Sequence, residues 1–95
     1  MSRIHISDEA RRDLDAIWRY TAKQWSRAQA DAYYLDLRRQ LKAALANPVS
    51  GVPVDIRPSC RKLLSGAHFI YYRPVIDGIE VIRILHQSMD VRRHL

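Results

Sequence analysis

Two stretches with helical spacing meet in this chain with almost no linker between them, and that junction narrows the folds open to it. Ser7 begins the first, a hydroxyl able to cap free amides, with Asp8 and Glu9 in the positively polarised first turn. Ala10, Leu14, Ile17, Trp18, Thr21 and Trp25 then fall along one face, which predicts a helix of about four to five turns ending near Gln24. Ser26 follows at once, with Gln29 placed as in a capping box. It opens a second helix whose apolar stripe is Ala30, Tyr33, Tyr34, Leu37, Leu41, Ala44 and Leu45. Asn47-Pro48 stops that helix, because proline disfavours helical geometry in the residue before it. Helices joined so tightly form an antiparallel hairpin.

The rest of the chain reads as sheet. Arg3-Ile4-His5-Ile6 alternates apolar and polar and predicts a short strand. Val49 to Ser59, rich in proline, reads as an extended loop. Two strands then surround a turn at Ser65-Gly66, namely Arg61-Lys62-Leu63-Leu64 and His68 to Arg73. Asp77-Gly78 is a hairpin signal leading into the strand Ile79 to His86. Pro74 cannot donate to a ladder, so a frayed or bulged hairpin tip is expected. Gln87 to Leu95 is polar and reads as a short tail. With the turn setting the register, Tyr72 faces Arg83 and Phe69 faces His86. One face then carries Ile70, Tyr72, Val81, Arg83 and Leu85. The other carries Phe69, Tyr71, Arg73, Ile82, Ile84 and His86. The expected fold is a two-layer α+β domain spanning residues 1–95, in the order β-α-α-β-β-β. Its helical hairpin packs on one face of a small, mostly antiparallel sheet.

Composition removes several function classes. With 95 residues, 47% of them hydrophobic, the chain can bury one core, so it is not a disordered basic tail. Cys60 is the only cysteine, which excludes an internal disulfide scaffold. No run approaches a membrane span, and the polar start Met1-Ser2-Arg3-Ile4-His5 is not a signal sequence, so a cytoplasmic location and no membrane are expected. Sixteen Lys and Arg against ten Asp and Glu leave a net charge of +6, which favours an acidic partner: nucleic acid, an anionic membrane or an acidic protein.

Chemistry-bearing residues are few. The four histidines show no zinc-site spacing, no glycine-rich loop precedes a helix, and no nucleophilic triad is suggested by any local motif. No metal or cofactor is expected. Metal-free RNA cleavage needs a base, an acid and positive charge on the phosphate. His68 or His86 would supply proton transfer, with Arg61, Lys62, Arg73 and Arg83 holding phosphate and Tyr71 and Tyr72 stacking on bases. Each has a structural alternative: Arg83 as partner of Glu80 or Asp90, Arg73 on a solvated edge, the tyrosines as sheet residues. On the second helix, Leu35 lies opposite the core stripe among Ala28, Ala32 and Ala46, a surface on which another chain can lie close.

The residues taken together resemble a known family. Asp15-Ala16-Ile17-Trp18-Arg19-Tyr20, with Trp25 just after, is similar to the first helix of ParE toxins, in the RelE/ParE superfamily of bacterial type II toxin–antitoxin systems. Arg57-Pro58, Arg61-Lys62-Leu63, Ser65-Gly66-Ala67-His68 and Tyr71-Tyr72-Arg73 agree in order. Arg83 to Asp90, containing Leu85-His86-Gln87-Ser88-Met89-Asp90, is the most specific part.

The resemblance implies a toxin that poisons DNA gyrase, stalls it on cleaved DNA and blocks replication without being an enzyme itself. It implies a ParD-like antitoxin that covers the toxin with its C-terminal segment. The RelE branch instead cleaves messenger RNA. This chain lacks that branch's dense lysine cluster before the second strand, and Gln87 stands where an aromatic acid–base residue would follow His86. Both departures favour the gyrase-directed branch over a metal-free endoribonuclease, for which Arg61, Arg83 and His86 would be catalytic. The expected target or antitoxin contacts are Leu35, Arg61, Arg73, Arg83, His86, Met89 and Asp90. Direct nucleic-acid binding is a lesser expectation.

Overall fold

A computed structural model describes residues 2–95. The elements run β1 (Arg3–Ile6), α1 (Asp8–Gln24), α2 (Arg27–Ala46), β2 (Val52–Pro53), β3 (Arg61–Ser65), β4 (His68–Val75) and β5 (Gly78–His86), followed by a 3-10 turn (Val91–Arg93). Both helix starts are capped as their hydroxyls require. Ser7 Oγ accepts the Ala10 amide and Ser26 Oγ the Gln29 amide, each at 3.0 Å.

Five strands form one sheet in the order β1-β5-β4-β3-β2, with β1 parallel to β5 and the other pairs antiparallel. The α+β arrangement matches expectation, with one strand added. Val52 and Pro53, expected in loop, pair with Lys62 and Arg61 as a two-residue edge strand. Proline is tolerated there because an edge strand has no neighbour on one side. The helical hairpin lies on one sheet face. There Leu14, Leu37, Leu41 and Ala44 meet Ile70, Tyr72, Ile79, Val81 and Ile84 in the main core. Among the described residues, no helix is long and apolar enough to cross a membrane.

The β4–β5 register departs from the sequence reading at two places. The turn residues are Ile76 and Asp77, one step earlier than Asp77-Gly78, because Val75 already pairs with Gly78. A bulge then falls in the middle of the hairpin instead of near Pro74. Tyr72 faces Val81 while Tyr71 faces Arg83, leaving Ile82 as the extra residue. Beyond it the alternation changes phase. Ile84 therefore joins the helical face and Leu85 the opposite one, the reverse of expectation. His86 consequently faces His68, not Phe69.

Gly78 is fixed by β1. A Cβ built there would lie 1.9 Å from the Arg3 carbonyl oxygen, so only glycine lets the parallel strand approach. Two further corrections concern segment ends. Trp25 leaves the apolar stripe because it caps α1 in a non-helical conformation, and it is 76% exposed. The C-terminal segment is no free tail. Val91 and Leu95 pack against a second cluster of Cys60, Tyr71, Ile82 and Leu85 on the sheet face away from the helices.

Candidate functional site

The bulge and the β3–β4 turn together assemble a histidine pair. His68 opens β4 and His86 ends β5. Their rings meet edge to face with centroids 5.4 Å apart. The turn behind them holds Gly66 at φ +58, where a Cβ would strike the Tyr33 ring at 2.7 Å. That closeness lets Tyr33, from α2, reach the turn. Its hydroxyl accepts the Ala67 amide at 2.9 Å and lies 3.2 Å from the Ser65 carbonyl and 2.6 Å from His68 Nδ1. All three contacts are hydrogen bonds only if Tyr33 donates to Ser65 and accepts from His68 Nδ1–H. The His68 lone pair then sits on Nε2. His86 has the opposite tautomer, since its Nδ1 accepts the Ser88 amide at 3.1 Å.

These rings border a cleft of about 320 Å³ completed by Ala16, Ile17 and Tyr20 of α1 and by Met89. Burial, then the neighbouring His86, holds the His68 imidazole below its usual pKa against a smaller pull from Asp13. Burial pushes the Tyr33 hydroxyl up. One ring thus offers a proton acceptor and the other a donor. Among the described residues no Lys or Arg lines this cleft to hold a phosphate, so the arrangement suits an apolar partner side chain with a polar group near the histidines.

The expected contact residues are dispersed around this cleft. His86 and Met89 share it, and Met89 is 49% exposed. Leu35 stands 51% exposed on the outer side of α2, as expected. Arg61 is anchored by Nη1 to the Val49 and Gly51 carbonyls, at 3.0 and 2.7 Å. Arg73 pairs with Glu80 at 2.6 Å on the exposed sheet face. Asp90 caps the C-terminal turn by accepting the Arg92 amide.

Arg83 is the main departure. It pairs neither with Glu80 nor with Asp90. It lies against α1, with Nε and Nη2 donating to Asp13 at 2.8 and 3.0 Å, and with Glu9 and the His94 carbonyl at 3.3 Å. Hydrogen bonding to Asp13 raises its pKa further. β1 ends opposite Val81, so the outer edge of β5 beyond that point is closed by α1. Ser7 Oγ donates to the Ile82 carbonyl and Asp13 accepts the Ile84 amide.

Three other concavities have no signature in the sequence. Between α1, α2 and β1, adjoining hollows of about 450 and 330 Å³ share Ile6, Leu14 and Tyr34. Arg11, Arg38 and Lys42 stand on their rim. Leu35, Arg38 and Lys42 fall at i, i+3 and i+7, a spacing that was visible in the sequence and places them on one side of α2. The third, of about 870 Å³, lies on the opposite sheet face between the β2–β3 loop and the C-terminal turn. Its signal was hidden because Arg92 and Arg57 are far apart in the chain. Among the described residues, no three His, Cys, Asp or Glu side chains gather closely enough to hold a metal ion.

The sequence model of a family described as the ParE toxin of the type II toxin–antitoxin system parDE matches residues 4–91. The chain belongs to the ParE toxin family. It is therefore a toxin of a type II toxin–antitoxin system. Toxin ParE1 of Mycobacterium tuberculosis is 43% identical over 99% of this toxin and 98% of its own length. Toxin ParE1 of Caulobacter vibrioides is 36% identical over 100% and 99%. Toxin ParE of Escherichia coli is 29% identical over 95% and 89%. A solved structure described as the chromosomal ParDE TA system from P. aeruginosa superposes with a TM-score of 0.78. It covers 90% of this toxin and 96% of that chain at 24% identity, a likeness of fold.

Proposed function

We propose that this ParE-family toxin acts in the cytoplasm by binding rather than by catalysis. It inhibits DNA gyrase, arrests it on cleaved DNA and so blocks replication, and a ParD-like antitoxin neutralises it. The observation that carries this reading is the near full-length relationship to proteins named Toxin ParE and Toxin ParE1. The geometry agrees with it. The cleft around the histidine pair is largely apolar and, among the described residues, has no Lys or Arg on its lining, which suits docking better than phosphoryl chemistry.

The antitoxin lies along the hollows between α1, α2 and β1. An amphipathic acidic segment places its apolar side over Leu14 and Tyr34 and its carboxylates beside Arg11, Arg38 and Lys42. Leu35 extends that surface outward. β1 is an edge strand whose free side adjoins the same hollows, so a strand of the antitoxin adds there. The target takes the His86–Met89 cleft.

Purified toxin incubated with gyrase and supercoiled DNA, and separately with translating ribosomes, tests this. Trapped cleaved DNA with intact messenger is the expected result. Cut messenger beside normal supercoiling would replace it with a metal-free endoribonuclease.

A further inference from the structure

We infer that the cleft between α1 and the histidine pair is built to hold an amide, the carboxamide of an Asn or Gln side chain on the protein that docks there. The inference rests on the reading that places the target at this cleft. It adds the chemistry by which that target is recognised.

Both rings are held from behind through Nδ1, which leaves Nε2 as the nitrogen that each can offer a ligand. What each nitrogen offers is set by groups whose roles cannot change. The Ser88 backbone N–H can only donate, so His86 Nδ1 accepts it at 3.1 Å, with the Ser88 hydroxyl 2.7 Å from the same nitrogen. The His86 proton therefore stands on Nε2. For His68 the decision passes through Tyr33. The Tyr33 oxygen accepts the Ala67 N–H and directs its one proton to the Ser65 carbonyl. His68 Nδ1, 2.6 Å away, is left to donate, and the lone pair of that ring stands on Nε2. Burial and the neighbouring His86 both keep His68 in its neutral form, so the lone pair persists.

One acceptor beside one donor discriminates among ligands. A carboxylate meets the His68 lone pair with lone pairs of its own. An ammonium or guanidinium meets the His86 N–H with another N–H. A hydrocarbon satisfies neither ring. An amide supplies an N–H for His68 and a carbonyl for His86, on two separate atoms as two separate rings require. Ala16 and Ile17 give the methylene stem an apolar wall, and the half-exposed Met89 is a pliable rim. Among the described residues no Lys or Arg on the lining draws an anion in instead.

Imidazole 15N shifts of the labelled full-length toxin at about pH 7.5 test the two roles directly. His68 should carry its proton on Nδ1 and His86 on Nε2. The same nitrogen protonated on both rings overturns the inference. Benzamide, benzoate and benzylamine, nearly equal in size, then read the selection through the methyl signals of Ile17 and Met89. Benzamide should bind at least about tenfold more tightly than either ion. Equal binding of an ion, or no shift at these methyls with benzamide, overturns the inference as well.

Tyr33→Phe removes the oxygen that holds the His68 proton on Nδ1. The preference for benzamide over benzoate should then fall to about threefold or less. Equal weakening of all three ligands would give Tyr33 a structural role only and overturn the assignment. If that variant does not fold, His68→Leu, which removes the acceptor, should lose the same preference. Ala16→Phe, which fills the cleft from α1, separates this inference from the gyrase reading. Loss of both benzamide binding and gyrase poisoning is the expected result. A variant that loses benzamide and still poisons gyrase keeps the amide site and removes gyrase from the cleft. A toxin that never binds benzamide, yet loses poisoning on this substitution, keeps gyrase at the cleft and overturns the amide.

Discussion

Arg83 and Asp13 form a two-point ion pair across the junction of β5 and α1, with contacts of 2.8 and 3.0 Å and side chains only 16% and 14% exposed. The same carboxylate accepts the Ile84 amide, so one aspartate secures both a side chain and the backbone of the last strand. Arg83 is thereby a fastener of the fold, although its charge and place on the sheet suggest a contact residue.

Arg83→Ala should accordingly lower the unfolding free energy by about 2–3 kcal/mol, since it strands a shielded carboxylate. Urea denaturation measures this. A change under about 0.5 kcal/mol combined with loss of toxicity in the folded protein would return Arg83 to the interaction surface.

Tyr72→Phe probes the loop that anchors Arg61. The Tyr72 hydroxyl donates to the Pro48 carbonyl and accepts the Gly51 amide, each at 2.9 Å. Removing it orphans both groups in a buried place and should cost about 1–3 kcal/mol. Amide exchange at Gly51 should accelerate before exchange at Ile79 does. Equal acceleration at both would mean that the hydroxyl holds no local structure.

Stability should fall on mild acidification through His68. Its pKa in the folded toxin lies below the ordinary 6.5, chiefly from burial and then from His86. As the pH drops past about 6.5 the unfolded chain takes up this proton before the folded one. Stability present above that pH is therefore lost progressively below it. His68→Asn, which keeps a donor near Nδ1 for Tyr33, should flatten the decline between pH 7 and 5.5. Superimposable pH profiles of the variant and the parent would assign the decline elsewhere.

Leu35→Asp separates binding from folding. The side chain is already half in water, so stability should change by less than about 0.5 kcal/mol. Affinity for an acidic antitoxin should fall at least about tenfold, from lost apolar contact and added like charge. Calorimetric titration with the antitoxin reads this. Unchanged affinity would move the antitoxin off the outer side of α2.

The helices were legible in the sequence almost to the residue, because Ser7, Ser26 and Pro48 mark their ends by local chemistry. The sheet was legible as strands but not as a register. The extra residue at Ile82 has no signature of its own, and the turn at Ile76-Asp77 sits one place before the expected glycine. Those two offsets set which of Arg83, Ile84 and Leu85 face the helices. The candidate site suffered accordingly. His86 and Met89 border one cleft, but the pairing of His86 with His68 depends on the bulge. The role of Arg83 depends on Asp13, seventy residues away in the chain. Such separations carry no local pattern for sequence to show.

The place of β1 in the sheet has a further consequence during synthesis. This first strand has β5, the last, as its sheet neighbour, and Ser7 and Asp13 bind residues 82 to 84. On the ribosome β1 emerges long before β5, and it waits for that strand before its sheet neighbour exists. A nascent chain that lacks β5 therefore leaves β1 unpaired, and the native sheet is completed only once residues 78–86 are available.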